Sequence, residues 1–237
     1  MVTYSQQIDS LNVAIFEAIP SQTSTADKRS LLAIHRTTGQ KHKEFSYLEI
    51  GSHLGGSIQP YLLDDRCIKV YSIDPRPREQ PDDRSPGCVA HYDGNSSERM
   101  IFLLKSIGDG DIDKIECIES DASEVDPARI LNAPEILLID GEHTKTAVLS
   151  DFRFCAKVAS QSGTIAFHDF FIIYPAIVDI FEQLDRERRS YVPLKLEDNV
   201  FAIFFDQDKI RMDPYLESLH KKNRDFLPNF LRKSHSK

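Results

Sequence analysis

Several features are scarce in this sequence, and each scarcity excludes a class of protein. No uninterrupted apolar run approaches the roughly 20 residues that span a bilayer, so no membrane-spanning helix is expected. Met1 to Ser10 lacks the basic and apolar regions of a secretory signal. The four cysteines, Cys67, Cys88, Cys117 and Cys155, are widely spaced and form no CxxC pair. That removes support for a structural zinc site and points to reduced thiols in a cytoplasmic protein. Basic charge is in deficit, since 29 Lys and Arg against 37 Asp and Glu leave a formal net charge of -8. A general nucleic-acid binder needs the opposite sign to displace counterions from phosphates. Internal repeats and low-complexity tracts are lacking too. What is present, 41% hydrophobic and 28% charged residues over 237 positions, suits one large α/β domain with terminal decoration.

Apolar spacing predicts a helix over 7–18, stopped by Pro20, and a second over 26–38, with Leu31, Leu32 and Ile34 inward and Gly39 as its stop. Short apolar runs at 46–50, 69–73, 115–119, 135–139 and 163–168 then alternate with amphipathic stretches near 56–64, 96–107, 123–132, 144–160 and 175–189. Such alternation predicts right-handed βαβ units in a doubly wound, mostly parallel, Rossmann-like seven-stranded sheet with helices on both faces. Only three residues separate Tyr191–Leu196 from Val200–Phe205, which excludes a helical crossover and predicts an antiparallel last strand. Three segments follow: N-terminal helices at 1–43, the main domain at 44–206 and an extension at 207–237. From 208 onward eight Lys and Arg face four acids, a net +4. This extension reads as a solvated helix and tail, or as an arm for an acidic substrate or partner subunit. The N-terminal helices either cover the site or join a homo-oligomer interface.

Tyr47-Leu-Glu-Ile-Gly51-Ser-His-Leu-Gly55-Gly56-Ser57 places three glycines between a buried strand and a helix, where a ligand can approach the backbone closely. A dinucleotide fingerprint wants Gly-x-Gly-x-x-Gly, but Ser52 and His53 follow Gly51, so its second glycine is missing. Glu49 at the strand end would repel a pyrophosphate yet could pair with the amino group of a cationic amino-acid ligand. The next strand ends in Asp74, 23 residues after Gly51, suitably placed for ribose hydroxyls. A third ends in Ser120-Asp121, within reach of an adenine amino group.

Ile136-Leu-Leu-Ile-Asp140-Gly-Glu-His143 drives four apolar residues into the core and then presents two acids and a histidine, while the following strand ends in His168-Asp169. Ligands of open α/β sheets bind outside these carboxyl ends. Two chemistries fit. In one, Asp140 and Asp169, with His168 added, hold Mg²⁺ or Mn²⁺ that acidifies a substrate hydroxyl while His143 takes the proton. In the other, no metal takes part, and Asp140 orients His143 or the cofactor. The Pro-rich stretch from Arg76 to Ser97 reads as a solvated loop or a substrate lid, with Arg76, Arg78 and Arg84 available to a carboxylate or phosphate. Asn95-Ser-Ser-Glu98 reads as a capping box.

Over roughly 44–206 these residues resemble the class I S-adenosylmethionine-dependent methyltransferases. The resemblance implies cofactor contacts at Glu49, Gly51, Ser52, Gly55, Asp74, Asp121 and Asp140. The Asp140-Gly-Glu-His143 and His168-Asp169 strand ends are similar to the branch of glycan and macrolide sugar O-methyltransferases. That similarity implies metal positions at Asp140 and Asp169, His143 as base, and a small hydroxylated acceptor. Where some metal-dependent relatives have two consecutive carboxylate or amide ligands, this chain has His168-Asp169, and Lys145 replaces an aromatic residue frequent just beyond the histidine. A nicotinamide-dependent oxidoreductase and a non-catalytic S-adenosylmethionine-binding module are the competing readings.

Overall fold

The computed structural model describes residues 3–234. In chain order it holds α1 (Tyr4–Asp9), α2 (Thr25–Lys41), β1 (Phe45–Ile50), α3 (Gln59–Leu63), β2 (Cys67–Ile73), β3 (Glu79–Asp82), β4 (Cys88–His91), α4 (Ser97–Lys105) and β5 (Ile115–Ile118). It continues with β6 (Ile136–Ile139), α5 (Lys145–Val158), β7 (Thr164–Phe167), α6 (Phe170–Arg186), β8 (Val192–Lys195), β9 (Phe201–Phe204), α7 (Asp208–Met212), α8 (Pro214–Asn223) and α9 (Phe226–Ser234). Seven strands form one sheet in the order β5-β2-β1-β6-β7-β9-β8. The pairs from β5 to β7 are parallel, and β9, last in sequence, runs antiparallel between β7 and β8. The expected mostly parallel sheet with its antiparallel final strand is what the chain forms.

Strand alternation sends successive side chains to opposite faces. Phe45, Tyr47, Val70, Ile136, Leu138, Ala166 and Phe204 join one core with α2 and α3. Leu48, Ile50, Tyr71, Ile73, Leu137, Ile139, Ile165 and Phe167 join the other with α5 and α6. Because both faces are covered, β1, β6 and β7 are buried throughout, and β6 reads as a continuous apolar run. Glu49 is two residues from Tyr47 and therefore faces the N-terminal side of the sheet.

Several local expectations are corrected. The helix foreseen over 7–18 is split: α1 ends at Asp9, Leu11 takes a φ of +55°, and Asn12 caps a short 3₁₀ turn at Val13–Phe16 by accepting from the Ala14 amide. Gly39 does not stop α2, which runs to Lys41; a Cβ on Gly39 would come within 2.6 Å of the Arg66 guanidinium. Two 3₁₀ turns, Ala122–Glu124 and Pro127–Arg129, replace the helix at 123–132. Ser96, not Asn95, caps α4. The last long helix starts five residues early, at Phe170, and carries Pro175 in its second turn, where the ring has no N–H for the Phe171 carbonyl.

The C-terminal extension is more folded than a solvated tail. Lys209 is buried, Arg36 pairs with buried Asp213 at 2.6 and 2.8 Å, and Phe226 and Phe230 stack beside Phe170. Residues 235–237 of that extension, and Met1 and Val2, lie outside the described residues. Among the described residues no helix is long and apolar enough to cross a membrane.

Candidate active site

The carboxyl ends of β1, β2, β6 and β7 open on one edge of the sheet. A cavity partly open to solvent lies at the end of β1. Its walls include Glu49, Gly51, Ser52, His53, Ser57, Tyr92, Asp140 and His143. Its roof is Pro20–Thr23, the link between the 3₁₀ turn and α2. Buried Gln59 fastens this roof: its amide nitrogen donates to the Phe16, Ile19 and Gly56 carbonyls, and its oxygen accepts from the Ile19 amide at 3.0 Å. The N-terminal segment thus covers the site.

Glu49 is 1% exposed, and its carboxylate accepts from the Tyr47 hydroxyl at 2.9 Å and the Ser57 hydroxyl at 2.5 Å. Burial pushes its pKa up to about 8, the Asp140 charge adds to this, and the two hydroxyls oppose it. A cationic ligand would relieve that cost by supplying the missing counter-charge. Gly51 has a φ of +87°, and a Cβ there would lie 2.1 Å from the Asp140 carbonyl oxygen, so glycine is demanded by the closeness of two strand ends. Gly55 has a φ of +81° and is packed against Leu104 and Met100.

Asp74 lines an adjoining cleft with Gly51, His53, Gln80, Tyr92, Asn95 and Asp140. Its two oxygens accept from the Arg76 and His53 amides at 2.7 and 2.9 Å, and Arg76 Nη1 lies 3.3 Å away. Arg76 therefore corrects the sequence expectation: its guanidinium is folded inward onto Asp74, the His53 carbonyl and Asn95, and does not project from the loop. His53 has a φ of +44°, and its Nε2 is buried without a hydrogen-bond partner among the described residues. Non-glycine residues held in that region cost of order 1–3 kcal/mol and cluster at ligand sites.

Asp140, His143 and Asp169 converge, each able to offer one ligand atom, all within 4.8 Å of one another. Two carboxylates suit Mg²⁺ and an added imidazole shifts the preference toward Mn²⁺; the imidazole in this group is that of His143 and not, as expected, that of His168. His143 Nε2 lies 3.0 Å from Asp169 Oδ2, and its Nδ1 lies 2.9 Å from Asp82 Oδ2. Burial works against the imidazolium, but the hydrogen bonds to Asp169 and Asp82 outweigh it and hold the His143 pKa at about 9. His168 lies deeper. Its Nδ1 is 3.1 Å from Asp140 and 3.4 Å from Asp169, while Nε2 is 3.2 Å from Asp27. Against the penalty of burial, the carboxylates around it raise its pKa strongly, Asp140 foremost.

Glu49, Gly51, Ser52, Asp140 and His143 thus share one cavity, Asp74 flanks it, and Asp169 and His168 contact its His143 and Asp140 walls from outside the lining. Two expected cofactor residues line neither space: Asp121 is exposed, and the Cβ position of Gly55 points at Leu104 and Met100. Three residues at the site escaped the sequence reading: Asp27, Asp82 and Tyr92. Asp27 reads locally as the third residue of a capping box with Ser24, a function it also serves. Asp82 and Tyr92 lie on the proline-rich stretch, which forms the antiparallel β3–β4 hairpin.

A cavity at the carboxyl edge of a 5-2-1-6-7-9-8 sheet, with Glu49 and Asp140 in its walls, defines a Rossmann-like ligand site. Residues 48–170 match the family model described as "Methyltransferase domain", and the chain belongs to that family, as a class I S-adenosylmethionine-dependent methyltransferase. Among solved structures it is similar to the O-methyltransferase NovP, with a TM-score of 0.59, 12% identity, and coverage of 85% of this chain and 97% of that one. It is also similar to MycE, a methyltransferase from the mycinamycin biosynthetic pathway solved with Mg and SAH, with a TM-score of 0.53 and 15% identity over 84% of this chain. The chain spans about half of MycE, 54% of its length. A curated relative, uncharacterized protein R132 of Acanthamoeba polyphaga mimivirus, is 24% identical over 159 residues, or 65% of this chain and 66% of that protein.

Proposed function

We propose that this methyltransferase acts on a hydroxyl of a small acceptor such as a sugar or natural product, with His143 taking the hydroxyl proton. The convergence of Asp140, His143 and Asp169 beside the Glu49 cavity carries this reading. Similarity to NovP, an O-methyltransferase, and to MycE, solved with Mg, supports it. When bound, S-adenosylmethionine supplies an electrophilic sulfonium methyl. Glu49 receives its ammonium group, the Gly51–Ser52 backbone lines the cavity where its methionine part lies, and Asp74 accepts from ribose hydroxyls. A divalent cation, held by Asp140 and Asp169, would supply Lewis acidity toward the acceptor oxygen. His143 presents Nε2 on the cavity side and removes the proton only in its neutral form. The acidic walls of the cavity oppose binding of a pyrophosphate and favour a cation.

Calorimetric titration of S-adenosylmethionine with and without Mg²⁺ and Mn²⁺, followed by a screen of hydroxylated acceptors, tests this. Binding in the micromolar range and methyl transfer to oxygen are expected. Methyl transfer only to nitrogen or carbon would overturn the acceptor class, and unchanged turnover after exhaustive chelation would remove the metal.

A further inference from the structure

The β3–β4 hairpin meets the catalytic strand ends at Asp82, the last residue of β3, which forms an isolated parallel bridge with His143. We infer that Asp82 is a positioning residue: its carboxylate holds the Nδ1–H of His143, so that Nε2 is the atom turned toward Asp169 and the cavity. The catalytic consequence rests on the reading of His143 as proton acceptor, whereas the placement of the ring proton does not.

Three observations carry the inference. First, the Asp82 side chain is 1% exposed, and a buried carboxylate is retained only where partners repay its desolvation. Those partners are specific. Oδ1 accepts from the Arg84 amide at 2.8 Å, while Oδ2 takes His143 Nδ1 at 2.9 Å and Arg84 Nη2 at 3.2 Å. Second, the hairpin has a separate anchor. Asp83 accepts from the Lys145 amide at 2.8 Å, and its own amide reaches the His143 carbonyl at 3.4 Å. The Asp82 side chain is therefore not needed as an anchor and is free to serve the ring. Third, two carboxylates compete for the single N–H of a neutral imidazole. The Nδ1–Asp82 contact at 2.9 Å has hydrogen-bond geometry, whereas Nε2 meets Asp169 only as an ion-pair contact at 3.0 Å, which places the ring N–H on Nδ1. A carboxylate fixing the far nitrogen in this way selects the tautomer of a base or ligand histidine. Since Asp82 belongs to the hairpin, the base is correctly oriented only while the hairpin is seated.

The test is two-bond ¹H–¹⁵N spectroscopy on the ¹⁵N-histidine-labelled full chain, followed through a pH series to the neutral ring, with His143→Gln assigning the signal. The wild-type ring is expected to keep its proton on Nδ1. In Asp82→Ala and in the volume-filling Asp82→Leu the two nitrogens should exchange character, Asp82→Glu should restore the original pattern, and Asp83→Ala should leave it unchanged. Affinity for S-adenosylhomocysteine within about twofold of wild type certifies that each variant is folded, a difference of under 0.5 kcal/mol. A wild-type proton on Nε2, or an unaltered spectrum in both Asp82 variants, would overturn the inference. Wild-type methyl transfer by His143→Gln would instead remove the proton-acceptor reading and leave the ring-proton result standing.

Discussion

The acid–imidazole rim makes two opposite demands on pH. His143 ionises near 9, above the ordinary histidine value of 6.5. In the unfolded chain it ionises near the lower value, so its pairing with Asp82 and Asp169 stabilises the fold fully below about pH 6.5. That contribution is lost as pH rises through about 9. A proton acceptor must be neutral, so methyl transfer is expected to climb over this same window. Rate profiles at saturating S-adenosylmethionine should rise through a half-maximum near pH 9 and level off above it, and His143→Ala should abolish transfer with cofactor affinity nearly unchanged. Joint loss of rate and affinity would place His143 in binding instead. A second residue-scale test lies away from the chemistry. Asp64 is 1% exposed, and its carboxylate pairs with the Arg66 guanidinium and with His35 Nε2 at 2.8 Å. Burial disfavours its charge, but His35 and Arg66 hold its pKa well below the carboxylate range. Asp64→Asn breaks a buried pair and should cost about 3 kcal/mol, read by urea denaturation at neutral pH.

Elements show where the sequence was legible and where it was not. The central strands β6 and β7 announced themselves as nearly unbroken apolar runs because they are buried on both faces. The acids ending those runs were equally visible, since the topology sends every parallel strand's carboxyl end to one edge. Glu49, Asp140, His143 and Asp169 were legible for that reason. Asp27 and Asp82 were not. Asp27 bonds His168 across 141 residues, and Asp82 bonds His143 across 61, distances at which local pattern carries no signal. The helix over 7–18 failed for a different reason: its apolar spacing continues through Leu11 and Asn12, where the backbone turns. Gly51 joins both lessons. It was read as space for a ligand, and the structure adds that its absent side chain lets β1 approach β6. Gly51→Ala would force both a disfavoured φ and a 2.1 Å contact with the Asp140 carbonyl. It should therefore lower stability by more than 2 kcal/mol as well as weaken the cofactor. Unchanged thermal stability with lost binding would mean that only the ligand needs this glycine.

At the scale of the whole molecule the cavity is assembled from three separate parts of the chain: the sheet edge, the Pro20–Thr23 roof and the hairpin that supplies Tyr92. None of the three encloses a ligand alone, so binding energy must be shared with the contacts that hold roof and hairpin down. A ligand that selects the native state at 100 times its dissociation constant adds about 2.7 kcal/mol. For a chain of this length that corresponds to a rise of roughly 5–10 °C in Tm. S-adenosylhomocysteine should produce such a rise and should slow amide exchange in residues 20–24 and 79–92 together with the Gly51–Ser57 turn. The Gln59 side chain links roof to turn through four hydrogen bonds. Gln59→Ala should therefore uncouple them, leaving the exchange of 20–24 fast in the presence of ligand while 79–92 remains protected. Protection confined to the glycine turn in the wild type would show that the ligand sits on the sheet edge alone. The roof would then belong to the fold and not to the binding site.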